Sequence, residues 1–297
     1  MPKYFIMNPK KAKFIYLLVL ALIWGSSFIL IKRGLVALSP LQLGALRIVF
    51  AGLFLVMIGF NSLKDVRLKQ WKYLALTACL GTFVPVFLFA FAQTQISSAI
   101  SAILNSLTPL NTLIFGVLLF GVNFQRRQIF GVIMGLAGSV LLIINGALSH
   151  PEANYYYALL LIVASICYAL NVNIIKHYLS DLKPLTITTG NFVVILIPAI
   201  IVLIFSGFFE AMQTPATQEV VIYIAILGIV GTAVANILFF KLIQLSSPVF
   251  ASSVTYLIPV VAFMWGLVDN ESITLIQALG AAIILVGVYL SAKKNNN

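Results

Sequence analysis

Apolar residues run along this chain in long stretches separated by short polar breaks. The stretches fall at about 14–31, 41–60, 72–92, 97–120, 127–146, 155–175, 185–208, 220–241, 248–268 and 273–292. Each is close to the ~20 residues that an α-helix needs to cross a bilayer. The pattern predicts an all-α membrane protein with ten transmembrane helices. The connectors are short, Gln93-Thr94-Gln95 and Asp269-Asn270-Glu271-Ser272 among them, so no separate soluble domain is expected. Lys10, Lys11 and Lys13 give the first span the charged start of a signal peptide. That span is too long, lacks a small-residue cleavage site and is followed by nine more, so it is expected to stay as a mature helix.

The pattern also repeats. An offset of 144 residues pairs Pro40 with Pro184, Trp24 with Tyr168, Lys32 with Lys176 and Arg47 with Asn191. The offset becomes 150 where Gly81-Thr82 meets Gly231-Thr232 and Leu107-Thr108-Pro109 meets Leu257-Ile258-Pro259, and it ends at 149 with Gly131 on Gly280 and Gly138 on Gly287. The expected units are 14–146 and 155–292, five spans each. An odd number of spans inserts the second unit upside down relative to the first, which is an inverted-topology repeat. In polytopic membrane proteins that arrangement points to alternating-access transport.

Composition and charge sharpen this picture. Hydrophobic residues make up 62% of the chain and charged residues 8%, about a third of the charge that a soluble domain uses to cover its surface. The net charge of +11 would suit a nucleic-acid partner, but the basic residues sit at the ends of apolar runs, where they act as topology determinants. With the N-terminus inside, 15 Lys and Arg fall in cytoplasmic segments, 2 fall outside (Lys32, Arg33), and Arg47 lies within a span. That bias predicts both termini in the cytoplasm, and a multi-pass place in the plasma (inner) membrane is expected. Cys79 and Cys167 lie in apolar runs and read as small buried residues rather than a disulfide or metal site.

The chemistry of the spans is narrow. All seven carboxylates (Asp65, Glu152, Asp181, Glu210, Glu219, Asp269 and Glu271) lie in loops or at span ends, and no span interior holds Asp, Glu or His. No nucleophile with a neighbouring base, metal-ligand cluster or phosphate loop is visible, so the chain is not expected to be an enzyme or to hold a cofactor or metal. Proton coupling through a midplane carboxylate is likewise not expected. Arg47 stands about seven residues inside its span, roughly 10 Å deep at about 1.5 Å per residue. It either snorkels to the headgroups and caps a neighbouring helix, or pairs with an anionic substrate group.

Polar and aromatic residues recur at helical spacing. Trp24 and Ser27 lie three apart, as do their counterparts Tyr168 and Asn171; Asn105 and Thr108 share a face, Thr232 and Asn236 are four apart, and Thr255 and Tyr256 stand in the ninth span. Groups three or four apart share one helix face and avoid lipid. They serve either as interhelical hydrogen bonds or as the lining of a cavity. The repeat-matched Pro109 and Pro259 are expected hinges. Gly131, Gly135 and Gly138, with Gly280, Ala281 and Gly287 in the other half, permit close helix approach within the chain or in a homodimer.

The chain resembles the EamA-type transporters of the drug/metabolite transporter superfamily over nearly its whole length. Trp24-Gly25-Ser26-Ser27-Phe28, Pro40 with Arg47, Ser106-Leu107-Thr108-Pro109, Tyr256-Leu257-Ile258-Pro259 and Glu271 carry the likeness. The first half departs from it at Gly121-Val122-Asn123, which has no acid, and Tyr168-Ala169-Leu170-Asn171 replaces the tryptophan motif. The resemblance implies a ten-helix carrier with a central cavity for small metabolites, often amino acids, commonly moved outward; a monomer or a homodimer is expected. The substrate-binding residues expected on this reading are Trp24, Ser27, Arg47, Asn105, Thr108, Tyr168, Asn171, Asn236, Thr255 and Tyr256. The alternative is a non-transporting structural, sensor or lipid-handling membrane component, for which a long soluble loop would be the mark.

Overall fold

The apolar runs fold as helices whose ends are set by proline, serine and glycine. The computed structural model describes residues 9–96, 98–123, 125–147, 155–268 and 275–292, and among them every regular element is helical. Helix α1 (Pro9–Gly34) is followed by α2 (Pro40–Gly59). A capping box starts α2: Gln42 N donates to Ser39 Oγ (3.3 Å) and Ser39 N to Gln42 Oε1 (2.9 Å), satisfying two orphan amides. Next come α3 (Leu68–Ala92), which contains a π-helical turn at Cys79–Phe83, then α4 (Ser98–Asn105), α5 (Thr108–Phe120) and α6 (Arg126–Ala147). The second half holds α7 (Ala158–Tyr178), α8 (Pro184–Phe205), the short α9 (Phe208–Ala211) and α10 (Pro215–Leu245), with a second π turn at Ile229–Val234. It ends with α11 (Pro248–Ser252), α12 (Val254–Val268) and α13 (Leu275–Ala292). Among the described residues six helices are long and apolar enough to cross a membrane: α1, α2 with the 3-10 turn after it, α3, α7, α8 and α10. Glu152, Asp269 and Glu271 lie outside the described residues.

Two of the apolar stretches are broken. The stretch at 97–120 is α4 and α5, divided at Ser106-Leu107, and the stretch at 248–268 is α11 and α12, divided at Ser253. Pro109 and Pro259 are repeat-matched, yet Pro109 opens a helix and Pro259 lies inside one. Each proline lacks the amide that would serve the carbonyl four residues back. For Pro109 that carbonyl is Asn105 O, and Thr108 Oγ1 donates to it at 2.7 Å. For Pro259 it is Thr255 O, which accepts from Ser106 Oγ at 3.1 Å, a bond that crosses from one half of the chain to the other. Side-chain hydroxyls thus supply what proline removes, as a low-dielectric interior requires.

Small residues set the packing between halves. A Cβ on Gly138 would come within 2.7 Å of Gly280 O, and one on Gly287 within 2.6 Å of Gly135 N, so α6 and α13 approach backbone to backbone. The glycine pattern therefore serves contact within this chain. Large apolar side chains face outward on the long helices, Leu18 at 55%, Met57 at 79% and Phe205 at 86% exposed. That is the reverse of a soluble surface and suits contact with lipid tails.

Candidate functional site

The two π turns stand at matched positions, 150 residues apart, and both border one cavity at the junction of the two halves. Pro85 accounts for the first, because it cannot donate to Gly81 O. The counterpart of Pro85 is Ala235, so the second turn has no such local cause. A π turn widens the helix and often marks a functional position. Here the Gly231 carbonyl accepts the Trp24 indole N–H at 3.1 Å, tying α1 to α10. A Cβ on Gly231 would meet Ser27 Oγ at 2.9 Å, and one on Gly81 would meet the Asn171 amide at 2.6 Å. Ser27 and Asn171 are repeat counterparts, so the two contacts are related by the same symmetry.

The cavity holds about 830 Å³ of atom-free space, its mouth included. Nine of the ten residues expected from the sequence line it: Trp24, Ser27, Arg47, Asn105, Thr108, Tyr168, Asn171, Asn236 and Thr255. Tyr256 does not. It is fully buried, its hydroxyl donates to Val132 O at 3.1 Å, and its ring lies where a Cβ on Gly135 would fall. Adjacent helix residues point about 100° apart, so Thr255 and Tyr256 face different neighbours. Sequence reasoning missed the aromatic wall. Trp24 meets Phe239 edge to face with centroids 5.0 Å apart, Phe28 meets Phe89 at 6.1 Å, and Phe89 meets Tyr168 at 6.1 Å. Phe28, Phe89 and Phe239 line the cavity, and the 150-residue offset of Phe89 from Phe239 was a signal available for two of them.

Arg47 points into this space rather than to the helix end. Its Nε donates to Thr232 Oγ1 at 2.6 Å, and Thr232 in turn donates to Leu227 O at 2.9 Å, so the guanidinium is held across the halves by the second π turn. Tyr168 lines the same cavity as Arg47. Among the described residues no carboxylate lines the cavity. The repeat counterpart Asn191 is buried in protein and hydrogen bonded to Thr77 at 3.0 Å. The arrangement is an apolar, aromatic chamber with one fixed cation and several hydroxyl and amide groups, suited to holding a small molecule with a polar, anionic end.

The model of the EamA-like transporter family matches the chain twice, at residues 12–144 and 156–293. The chain belongs to this family. It is 28% identical over 282 residues to an uncharacterized inner membrane transporter of Escherichia coli K12, YedA, covering 92% of this chain and 88% of that one. An uncharacterized transporter of Archaeoglobus fulgidus is 27% identical, with 95% and 99% covered. A probable amino-acid metabolite efflux pump of E. coli K12 is 23% identical, with 92% of each covered. A solved crystal structure superposes with a TM-score of 0.72 at 18% identity over 95% of this chain and 97% of the other, which shows the shared fold. As an EamA-family transporter the chain is a multi-pass membrane protein.

Proposed function

We propose that this transporter moves small metabolites with an anionic group, amino acids or related compounds foremost, outward across the inner membrane by alternating access. The observation that carries the reading is Arg47, a cation fixed in the cavity with a neutral Thr232 as its hydrogen-bond partner and, among the described residues, no carboxylate in the lining. An arginine fixed beside a neutral hydroxyl in a mostly apolar cavity favours a ligand that neutralises it. The proposed architecture is ten spans in two inverted five-helix repeats, 14–146 and 155–292, with both termini cytoplasmic. The Lys and Arg bias between loops supports the orientation, and the E. coli relative named as an efflux pump supports the direction and substrate class. Nine candidate residues are proposed to contact substrate, with Arg47 on its carboxylate and the aromatic wall on its apolar part; Tyr256 is proposed as a packing residue.

The test is flux in liposomes reconstituted with purified protein and loaded with individual amino acids and related carboxylates. Accelerated loss of particular compounds over protein-free liposomes is expected. A well-folded preparation that accelerates none of them would sink the proposal.

A further inference from the structure

Two repeat-related lysines hold different things. Lys176, in the last turn of α7, donates from Nζ to the carbonyl oxygens of Ile243 (3.0 Å), Gln244 (3.4 Å) and Ser246 (2.8 Å) at the C-terminal end of α10. Helix ends leave such carbonyls without amide partners, and the helix dipole favours a cation there. Beside it Gln244 Nε2 donates to Leu182 O at 2.6 Å. Together these bonds shut α7 against α10.

The same offsets carry Lys176 to Lys32, and Ile243, Gln244 and Ser246 to Gln93, Thr94 and Ile96 in the turn that ends α3. Among the described residues Lys32 is exposed and forms no hydrogen bond or ion pair. Thr94, the counterpart of Gln244, donates back to Phe91 O at 2.8 Å instead of to Leu38, the counterpart of Leu182. The cavity shows the same asymmetry. Ile31 and Arg47 line it at the end nearer Lys32, whereas their counterparts Ile175 and Asn191 are not part of its lining.

We propose that Lys176 and Lys32 are alternating latches. The structure holds the state in which the Lys176 end is shut and the Lys32 end is open. In the opposite state Lys32 donates to the carbonyls of Gln93, Thr94 and Ile96, and Lys176 releases α10. The inference rests on the alternating-access reading above and adds the contacts that set the balance between its two states.

Spin-label distances test it. With Cys79 and Cys167 replaced by alanine, labels go on the repeat-matched pairs Val36/Gln95 and Ser180/Leu245, one pair at each end. Lys176→Met should raise the population with a short Val36–Gln95 and a long Ser180–Leu245 distance by about tenfold, the scale of a lost charge-assisted hydrogen bond. Lys32→Met should lower that population, and Lys176→Arg should restore the wild-type balance. Unchanged populations, shifts of the same sign from both lysines, or a loss of thermal stability from Lys176→Met without any shift would show Lys176 to be a fixed helix cap. Should Lys176→Met fail to fold, Lys32→Met at its exposed position decides the question alone. The distances need no substrate, so the two readings separate. Unaltered distances in a protein that carries flux remove only the latch, and shifted distances in a protein without flux remove only the substrate reading.

Discussion

Arg47 is visible in the sequence as a charge deep in an apolar run, but depth alone leaves two roles open, because a long side chain reaches either the headgroups or a cavity. The fold decides its direction: Thr232, 185 residues away, accepts its Nε–H at 2.6 Å. That partner was not legible, since it depends on how the second half folds back on the first. Arg47→Gln is expected to weaken binding of carboxylate substrates by an order of magnitude or more, a loss of roughly 1.5–3 kcal/mol for a charged hydrogen bond. Binding of the corresponding methyl esters should change little, and thermal stability should hold. Isothermal titration with an acid and its ester checks this. Equal weakening of both, together with a lower melting temperature, would assign Arg47 a structural role.

At the scale of elements, run length and polarity made most of the helices legible, and the repeat made the cavity-facing positions legible in pairs. The breaks were harder to see. Pro109 and Pro259 are matched in sequence, but α5 begins at one while α12 runs through the other, and different hydroxyls repair the two bare carbonyls. The second π turn has alanine where the first has Pro85, so no proline marks it in the sequence. Tyr256 lies off the cavity for a geometric reason, its neighbour Thr255 taking the cavity side. Glycine positions, by contrast, were informative about packing. The backbone of Gly280 would lie 2.7 Å from a Cβ on Gly138, so Gly138→Leu must push α6 and α13 apart. The expected loss is about 1–3 kcal/mol, as for overpacked sites, read as a lower melting temperature in detergent with α-helical content retained. Wild-type stability in that variant would contradict the close helix pairing.

For the whole molecule, the cavity lies where two similar halves meet, and its lining holds one cation and no carboxylate among the described residues. Transport is therefore expected to be insensitive to an imposed pH gradient when substrate charge is held constant, because no lining carboxylate is available to carry a proton. Flux measured with and without such a gradient checks this, and strong proton-driven accumulation would redirect attention to the acids at the span ends. Whether the cavity faces each side in turn is read by counterflow, in which liposomes are loaded with excess unlabelled substrate and given a trace of labelled substrate outside. Alternating access predicts that the label accumulates transiently above its equilibrium level, since each outward passage of unlabelled molecules returns a site that picks up tracer. Monotonic equilibration, as through a channel, or no uptake at all by folded protein would contradict it.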